Sequence, residues 1–180
     1  SGSIPRDEII YGYNNLNIDF NKLKEAGVEF IIIRVGSSTG INGENFIDSK
    51  FIQNITNANN LNIPVGVYFY SHANSKERAI SDAKWVLEQI KDYNVELGVA
   101  LDWENWNSFN EFNLSFFGLT NMANEFLKVI NDAGYKTLLY SSKTYLENMW
   151  MDIEYPIWLA HYVKNTTYKD DYEYWQICSN

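Results

Sequence analysis

The sequence predicts an α/β fold, a mostly parallel sheet rolled toward a barrel whose last part has lost its helices. Three observations carry this expectation. Short apolar runs alternate with amphipathic stretches of helical period, and such alternation imposes right-handed crossovers between parallel strands. Seven runs read as strands and five stretches as helices, none of the helices falling between the last two strands. The 180 residues, 46% of them hydrophobic, make one globular domain the expectation and bury roughly two thirds of the unfolded surface without staples.

In order, Ile9-Ile10-Tyr11-Gly12-Tyr13 reads as a first strand followed by an Asn-rich turn. Asp19 is a good N-cap and Gly27 a good terminator for a helix between them. Residues 30–35 form a continuous apolar strand interrupted only by Arg34, and residues 36–43 a loop. Residues 48–61 carry Phe51, Ile52, Ile55 and Ala58 on one helical stripe. Residues 63–70 are the next strand, with Pro64 near its start, where a missing N–H is tolerated. Ser75 caps a long helix with Ala79, Ala83, Val86, Leu87 and Ile90 inward. Residues 116–133 are a helix closed by Gly134, residues 137–140 a strand and 142–150 a short helix. Residues 156–160 and 172–177 close the chain as two strands. Ser1-Gly2-Ser3 reads as a cloning remnant, which leaves residues 4–180 as the domain.

Composition narrows the function classes. The formal charge of −9 disfavours nucleic acid and anionic membrane surfaces as partners. No apolar run has the length of a membrane span. The single cysteine, Cys178, excludes an internal disulfide, and no Cys or His cluster has metal-ligand spacing. Aromatics reach 16%, with 13 Tyr and 6 Trp, material either for a core or for platforms against sugar rings.

The chemistry concentrates in Gly98-Val99-Ala100-Leu101-Asp102-Trp103-Glu104. Val99 to Leu101 suit a strand covered on both faces. Alternation puts Ala100, Asp102 and Glu104 on one face, the two acids about 7 Å apart at the backbone. Each carboxylate suppresses ionisation of the other, so one stays protonated while the other is charged. Glycoside hydrolysis needs that arrangement, and spacing alone fits equally a pair of acids that merely form salt bridges or caps at a strand end. In parallel barrels the site lies at the C-terminal strand ends, where Tyr68 and Tyr70, Tyr140 and Ser141, residues 160–162, and Trp175 with Gln176 also fall. Trp158 and Trp175 suit barrel packing as well as sugar stacking. Trp103 points away from the acids toward the helices, while Trp106, past the strand end, suits a groove. His72 and His161 show no triad partner by spacing, and Cys178 reads as inert.

With these residues in place the chain resembles a known family. Ile31-Ile32-Ile33-Arg34-Val35-Gly36, the Asp48, Phe51, Asn54, Ala58 spacing, and Ile63-Pro64-Val65-Gly66-Val67-Tyr68 with Ser71 and Ala73 follow its pattern. So do Leu101-Asp102-Trp103-Glu104, Trp158-Leu159-Ala160-His161-Tyr162 and Trp175-Gln176. The pattern is that of the glycoside hydrolase family 25 muramidases, the Chalaropsis-type lysozymes of bacterial autolysins and phage endolysins. The resemblance implies an irregular (β/α)5β3 TIM-like barrel. It also implies cleavage of the β-1,4 bond between N-acetylmuramic acid and N-acetylglucosamine in peptidoglycan. Glu104 matches the catalytic acid and Asp102 its electrostatic partner. Tyr68, Tyr70, Trp158 and Tyr162 fall on groove positions, and Arg34 falls on the inner second-strand position, where it could hold a carboxylate; Trp106, Tyr140 and Trp175 are further substrate-binding candidates. No metal or cofactor is implied, the partner is the peptidoglycan glycan strand, and the implied location is secreted or wall-associated, bacterial or phage-encoded.

Two departures shape the expectation. The family's first strand carries an Asp in a Gly-Ile-Asp-Val-Ser-like motif; here that position falls on Ile10, and Tyr11-Gly12-Tyr13-Asn14-Asn15 offers amides but no carboxylate. The family also continues past the Trp-Gln strand to a last strand with another Asp, which this sequence does not show. An open barrel edge and self-association through it are then expected. The sequence therefore supports a muramidase and, as the alternative, a catalytically impaired wall-binding module. An unrelated barrel glycosidase acting on another N-acetylglucosamine polymer ranks below both.

Overall fold

Strand faces set the architecture. The computed structural model describes residues 10–12, 18–160 and 166–176, with the side chains of 18–160 and 166–174. The strands are β1 (Ile10–Gly12), β2 (Ile31–Ser38), β3 (Asn45–Ile47), β4 (Val65–Tyr70), β5 (Gly98–Asp102), β6 (Thr137–Ser142), β7 (Ile157–Ala160) and β8 (Tyr174–Gln176). They form one sheet in the order β1-β2-β4-β5-β6-β7-β8, every neighbour along that path parallel. Five helices alternate with them: α1 (Phe20–Glu25), α2 (Phe51–Asn60), α3 (Lys76–Ile90), α4 (Phe116–Asp132) and α5 (Lys143–Asn148).

The period of two divides the sheet cleanly. Ile31, Ile33, Val35, Val65, Val67, Phe69, Val99, Leu101, Leu139 and Leu159 join the helices in the main core. Ile32, Ala100, Leu138, Tyr140, Trp158, Ala160 and Tyr174 meet on the opposite face in a second cluster with Phe30. The sheet is thus curved around an interior of its own, as in a barrel. Phe30, ahead of β2, lies against Tyr174 of β8 with ring centroids 5.5 Å apart, bridging the two sides of that interior. Among the described residues no ladder joins β8 to β1, so the barrel is irregular and open.

All seven predicted strands and five predicted helices are present. Asp19, Ser75 and Ser115 cap α1, α3 and α4 by accepting from the amides of Lys22, Arg78 and Gly118. Two features differ from expectation. β2 runs to Ser38 because β3 pairs antiparallel with its end, Gly36 opposite Ile47; three residues carry too little periodicity to be read as a strand. A 3-10 segment, Trp106–Phe112, follows β5 where no element was expected. Among the described residues no helix is long and apolar enough to cross a membrane.

Glycine is required where β5 starts. Gly98 has φ +85°, and a Cβ there would sit 2.1 Å from the Lys136 carbonyl oxygen of the incoming β6 chain. Gly27 also has positive φ, +79°, with open space around it. Gly98→Ala should therefore cost about 2–4 kcal/mol in urea unfolding, against about 1 kcal/mol for Gly27→Ala, which meets only the backbone penalty.

Candidate active site

Asp102 is the last residue of β5, and Glu104 stands two residues beyond it on the same side of the chain. The register sets Asp102 between Tyr70 of β4 and Tyr140 of β6. Asp102 is 5% exposed, whereas Glu104 opens to solvent. The two carboxyls are hydrogen-bonded to each other. Burial pushes Asp102 far above the ordinary carboxylate range, the Glu104 charge and the shared hydrogen bond push it further, and Arg34 pulls it back. Burial also raises Glu104, while the hydrogen bond from Asp102 lowers it. The pair therefore retains one proton between its members well above the pH at which an isolated carboxyl would lose it. Tyr70 feels the same field: burial first, then the charges of Asp102 and Glu104, push its phenol to about 12.

The strand end is clamped from β4. The Ser71 amide donates to the Asp102 carbonyl at 2.7 Å. Asn105 Nδ2 donates back to the Ser71 carbonyl at 2.9 Å, and Trp103 Nε1 to the Ala73 carbonyl at 3.1 Å. Residues on both sides of Glu104 are thus tied to one loop, which fixes the carboxyl relative to Asp102. Ser37 Oγ extends the lattice by donating to the Tyr70 carbonyl at 2.8 Å. Ser71 and Asn105 were not picked out as site residues; Asn105, directly after the Asp-x-Glu motif, was the available signal.

Arg34 sits at an inward position of β2, in register with Tyr68. Its Nε donates to Asp48 Oδ2 at 2.9 Å, and its guanidinium lies close enough to Asp102 and Tyr70 to lower both. The local chain explains Asp48. The β2–β4 register slips between Arg34 and Gly36, and the carbonyl of Val35, at that bulge, accepts the Asp48 amide at 3.0 Å. That contact sets the Asp48 carboxylate beside Arg34, while its other oxygen accepts the Lys50 amide at 3.0 Å just before α2. Helix α2 starts at Phe51 and not at Asp48 because Asp48 is engaged in this junction.

Tyr68, Tyr140 and Trp158 form one aromatic group on the inner face. Trp158 lies 4.4 Å from Tyr140 and 6.2 Å from Tyr68 between ring centroids, and is 1% exposed. The register sets Trp158 beside Tyr140, which is itself level with Asp102, and Tyr68 level with Ala100. The structure does not bring Trp106 to this group. Trp106 stacks on Tyr145 at 4.3 Å and packs edge-on against Trp103 and Trp150, on the helix side of the sheet. The 3-10 turn that begins at Trp106 folds it back under α5, which sequence spacing does not reveal. Trp103 is fully buried beside it, as its alternation predicts. Tyr162 and His161 lie outside the described residues, as do the side chain of Trp175 and Cys178. His72 is half-buried, with Nδ1 3.2 Å from Ser38 Oγ and its ring 5.1 Å from Tyr70. A separate cleft of about 430 Å³, lined by Trp150, Tyr155, Tyr168 and Tyr172 among others, lies where β7 and β8 begin, away from the carboxyl pair.

Comparison with known proteins fits this geometry. The sequence pattern of the glycosyl hydrolases family 25 matches residues 10–180. The chain belongs to that family. Among solved structures it is similar to the modular autolysin LytC from Streptococcus pneumoniae in complex with a synthetic peptidoglycan ligand, at 26% identity and a TM-score of 0.80, over 95% of this chain and 42% of that one. It is similar to the CTP1L endolysin at 22% identity and a TM-score of 0.75, over 96% of this chain and 60% of the other. A family 25 lysozyme from Aspergillus fumigatus matches at 18% identity and a TM-score of 0.71, over 93% of this chain and 83% of the other. The chain thus spans about two fifths of the LytC chain. No curated protein matches it.

The raised carboxyl pair has a thermodynamic signature. A carboxyl raised by folding binds more protons folded than unfolded, so its cost is absent at low pH and grows as pH climbs from the unfolded value toward the folded one. Asp102→Asn removes that cost. It should stabilise the chain at pH 7 by about 1–3 kcal/mol and leave stability at pH 3 nearly unchanged, as read by urea unfolding at both pH values.

Proposed function

We propose that the chain hydrolyses peptidoglycan as an N-acetylmuramidase, with Glu104 as general acid and Asp102 as its electrostatic partner. The observation that carries this reading is the clamped, proton-sharing Asp102–Glu104 pair at the C-terminal end of β5, in a chain of family 25. Glu104, the solvent-facing member, takes the shared proton from Asp102 and hands it to the oxygen between N-acetylmuramic acid and N-acetylglucosamine. Asp102 then carries negative charge opposite the oxocarbenium-like sugar. A nucleophilic carboxylate of a retaining glycosidase stands about 5–5.5 Å from the acid, across the scissile bond. Two hydrogen-bonded carboxyls lie closer than that and on one side. Asp102 therefore suits orientation of the 2-acetamido group, whose oxygen attacks the anomeric carbon, better than attack of its own. Water then opens the resulting ring, with Glu104 taking the proton from it. Arg34, Tyr68, Tyr70, Tyr140 and Trp158 would line the groove, joined by Tyr162 and Trp175. The similar autolysin and endolysin suggest a wall-associated or phage-encoded setting.

A second reading rests on a specific observation. β1 pairs Ile10, Tyr11 and Gly12 with β2, and none of these is an acid. A chain that keeps the groove but lacks this carboxylate would bind wall glycan without turnover.

Release of reducing ends from purified peptidoglycan decides between them. Wild type should release them, and Glu104→Gln, which keeps the shape and removes the proton, should lose about 10²–10⁴-fold. Co-sedimentation of wild type with the wall and no reducing ends from either protein would replace the enzyme reading with the binding one.

A further inference from the structure

Among the described residues the mouth of the barrel holds one cation, and it is not spent on the carboxyl pair. Among the described inward positions of β2, β4, β5, β6 and β7, only Arg34 is basic. A guanidinium beside a buried, hydrogen-bonded carboxyl ordinarily closes onto it in a bidentate pair. Here Nε is taken by Asp48, and the two terminal amino groups make no other hydrogen bond or ion pair among the described residues. Asp102 Oδ1, buried, has no hydrogen-bond partner either. Asp48 is itself 4% exposed and fixed by two further contacts, its amide on the Val35 carbonyl and its Oδ1 on the Lys50 amide. It therefore cannot follow Arg34 toward the mouth.

The geometry points to Asp48 as a positioning residue: by holding Arg34 Nε it keeps the guanidinium from closing onto Asp102, and so leaves Asp102 and Glu104 to share a proton with each other. The inference rests on the muramidase reading for its purpose, since a general acid at neutral pH needs that proton. An ion pair between Arg34 and Asp102 would favour ionisation of both carboxyls, and the acid would be lost at lower pH. Among the described residues the titratable and charged groups facing the pair are Tyr68 and Tyr70 from β4, Arg34 from β2 with Asp48 behind it, and Tyr140 from β6. His72 lies behind Tyr70. None of the others is a cation at pH 7 that could take the place of Arg34.

The test is the titration of the pair itself, followed by carboxyl ¹³C NMR with Asp102→Asn and Glu104→Gln as assignment controls. Asp48→Asn should move the upper titration of the pair down by about 1 pH unit. Asp48→Glu, which keeps the charge, should restore most of it. In an Arg34→Gln background Asp48→Asn should have no effect, because the cation it restrains is gone. Asp48→Ser serves if the Asn variant does not fold. An unmoved titration, or a shift that persists without Arg34, overturns the proposal. The measurement needs no substrate, so it reads on Asp48 even if wild type releases no reducing ends, a result that would count against the muramidase reading alone. If wild type is active, the alkaline limb of its kcat/KM profile should move with the titration, which a purely structural loss would not produce.

Discussion

Two carboxyls hydrogen-bonded at the end of a buried strand are the constraint around which the site is built. Either carboxyl alone would be solvated or salt-bridged. Together, with Asp102 cut off from water, they cannot both ionise at ordinary pH. The arrangement is unfavourable to the fold, and the surroundings show how it is held. Ser71, Asn105 and Trp103 secure the chain on both sides of Glu104 with bonds to one loop, so the pair cannot relax by swinging apart. Underneath, Gly98 lets β5 start tight against β6, which places its end level with Tyr70 and Tyr140. The cost of the pair is thus spread over contacts beyond the two carboxyls themselves.

The same strand alternation that builds the core separates structure from chemistry. Odd positions of β2, β4 and β5 up to the bulge carry Ile31, Ile33, Val67, Val99 and Leu101 toward the helices. The other face carries Ile32 and Ala100 at depth, then Arg34, Tyr68 and Asp102 toward the mouth. Trp103 and Trp106 show how local this division is. One follows the alternation and the other is redirected by a 3-10 turn, and both end in the same aromatic packing on the helix side.

Much of this was legible in the sequence because it is periodic or punctuated. Apolar runs, Ser and Asp caps and terminal glycines located every helix and every strand of the parallel path, and the alternation of Asp102 and Glu104 indicated the paired carboxyls. What escaped was set by contacts between distant segments. β3 exists because residues 45–47 find the end of β2 beyond its pairing with β1, a pairing of three residues with no pattern of its own. Asp48 read as a helix start because its position before an apolar stripe says so; its bond to Arg34 depends on a bulge visible only in the register. Trp106 read as a groove residue because it follows a site strand, and only the fold of the next turn removes it.

The charge balance of the mouth ties these pieces together. Arg34 and Asp48 cancel, and the carboxyl pair with one proton carries a single negative charge. In the proposed mechanism, release of that proton through Glu104 makes the pair doubly negative next to a sugar that is becoming positive, so the field strengthens at the moment when charge develops. Had Arg34 been spent on Asp102, that gain would be neutralised in advance. A further carboxylate, such as the family's first strand carries, would deepen the negative field and raise the cost of holding the pair. β1 in this chain contributes Ile10, Tyr11 and Gly12 at that edge, so among the described residues the negative charge at the mouth is that of Asp102 and Glu104, beside the Arg34–Asp48 ion pair.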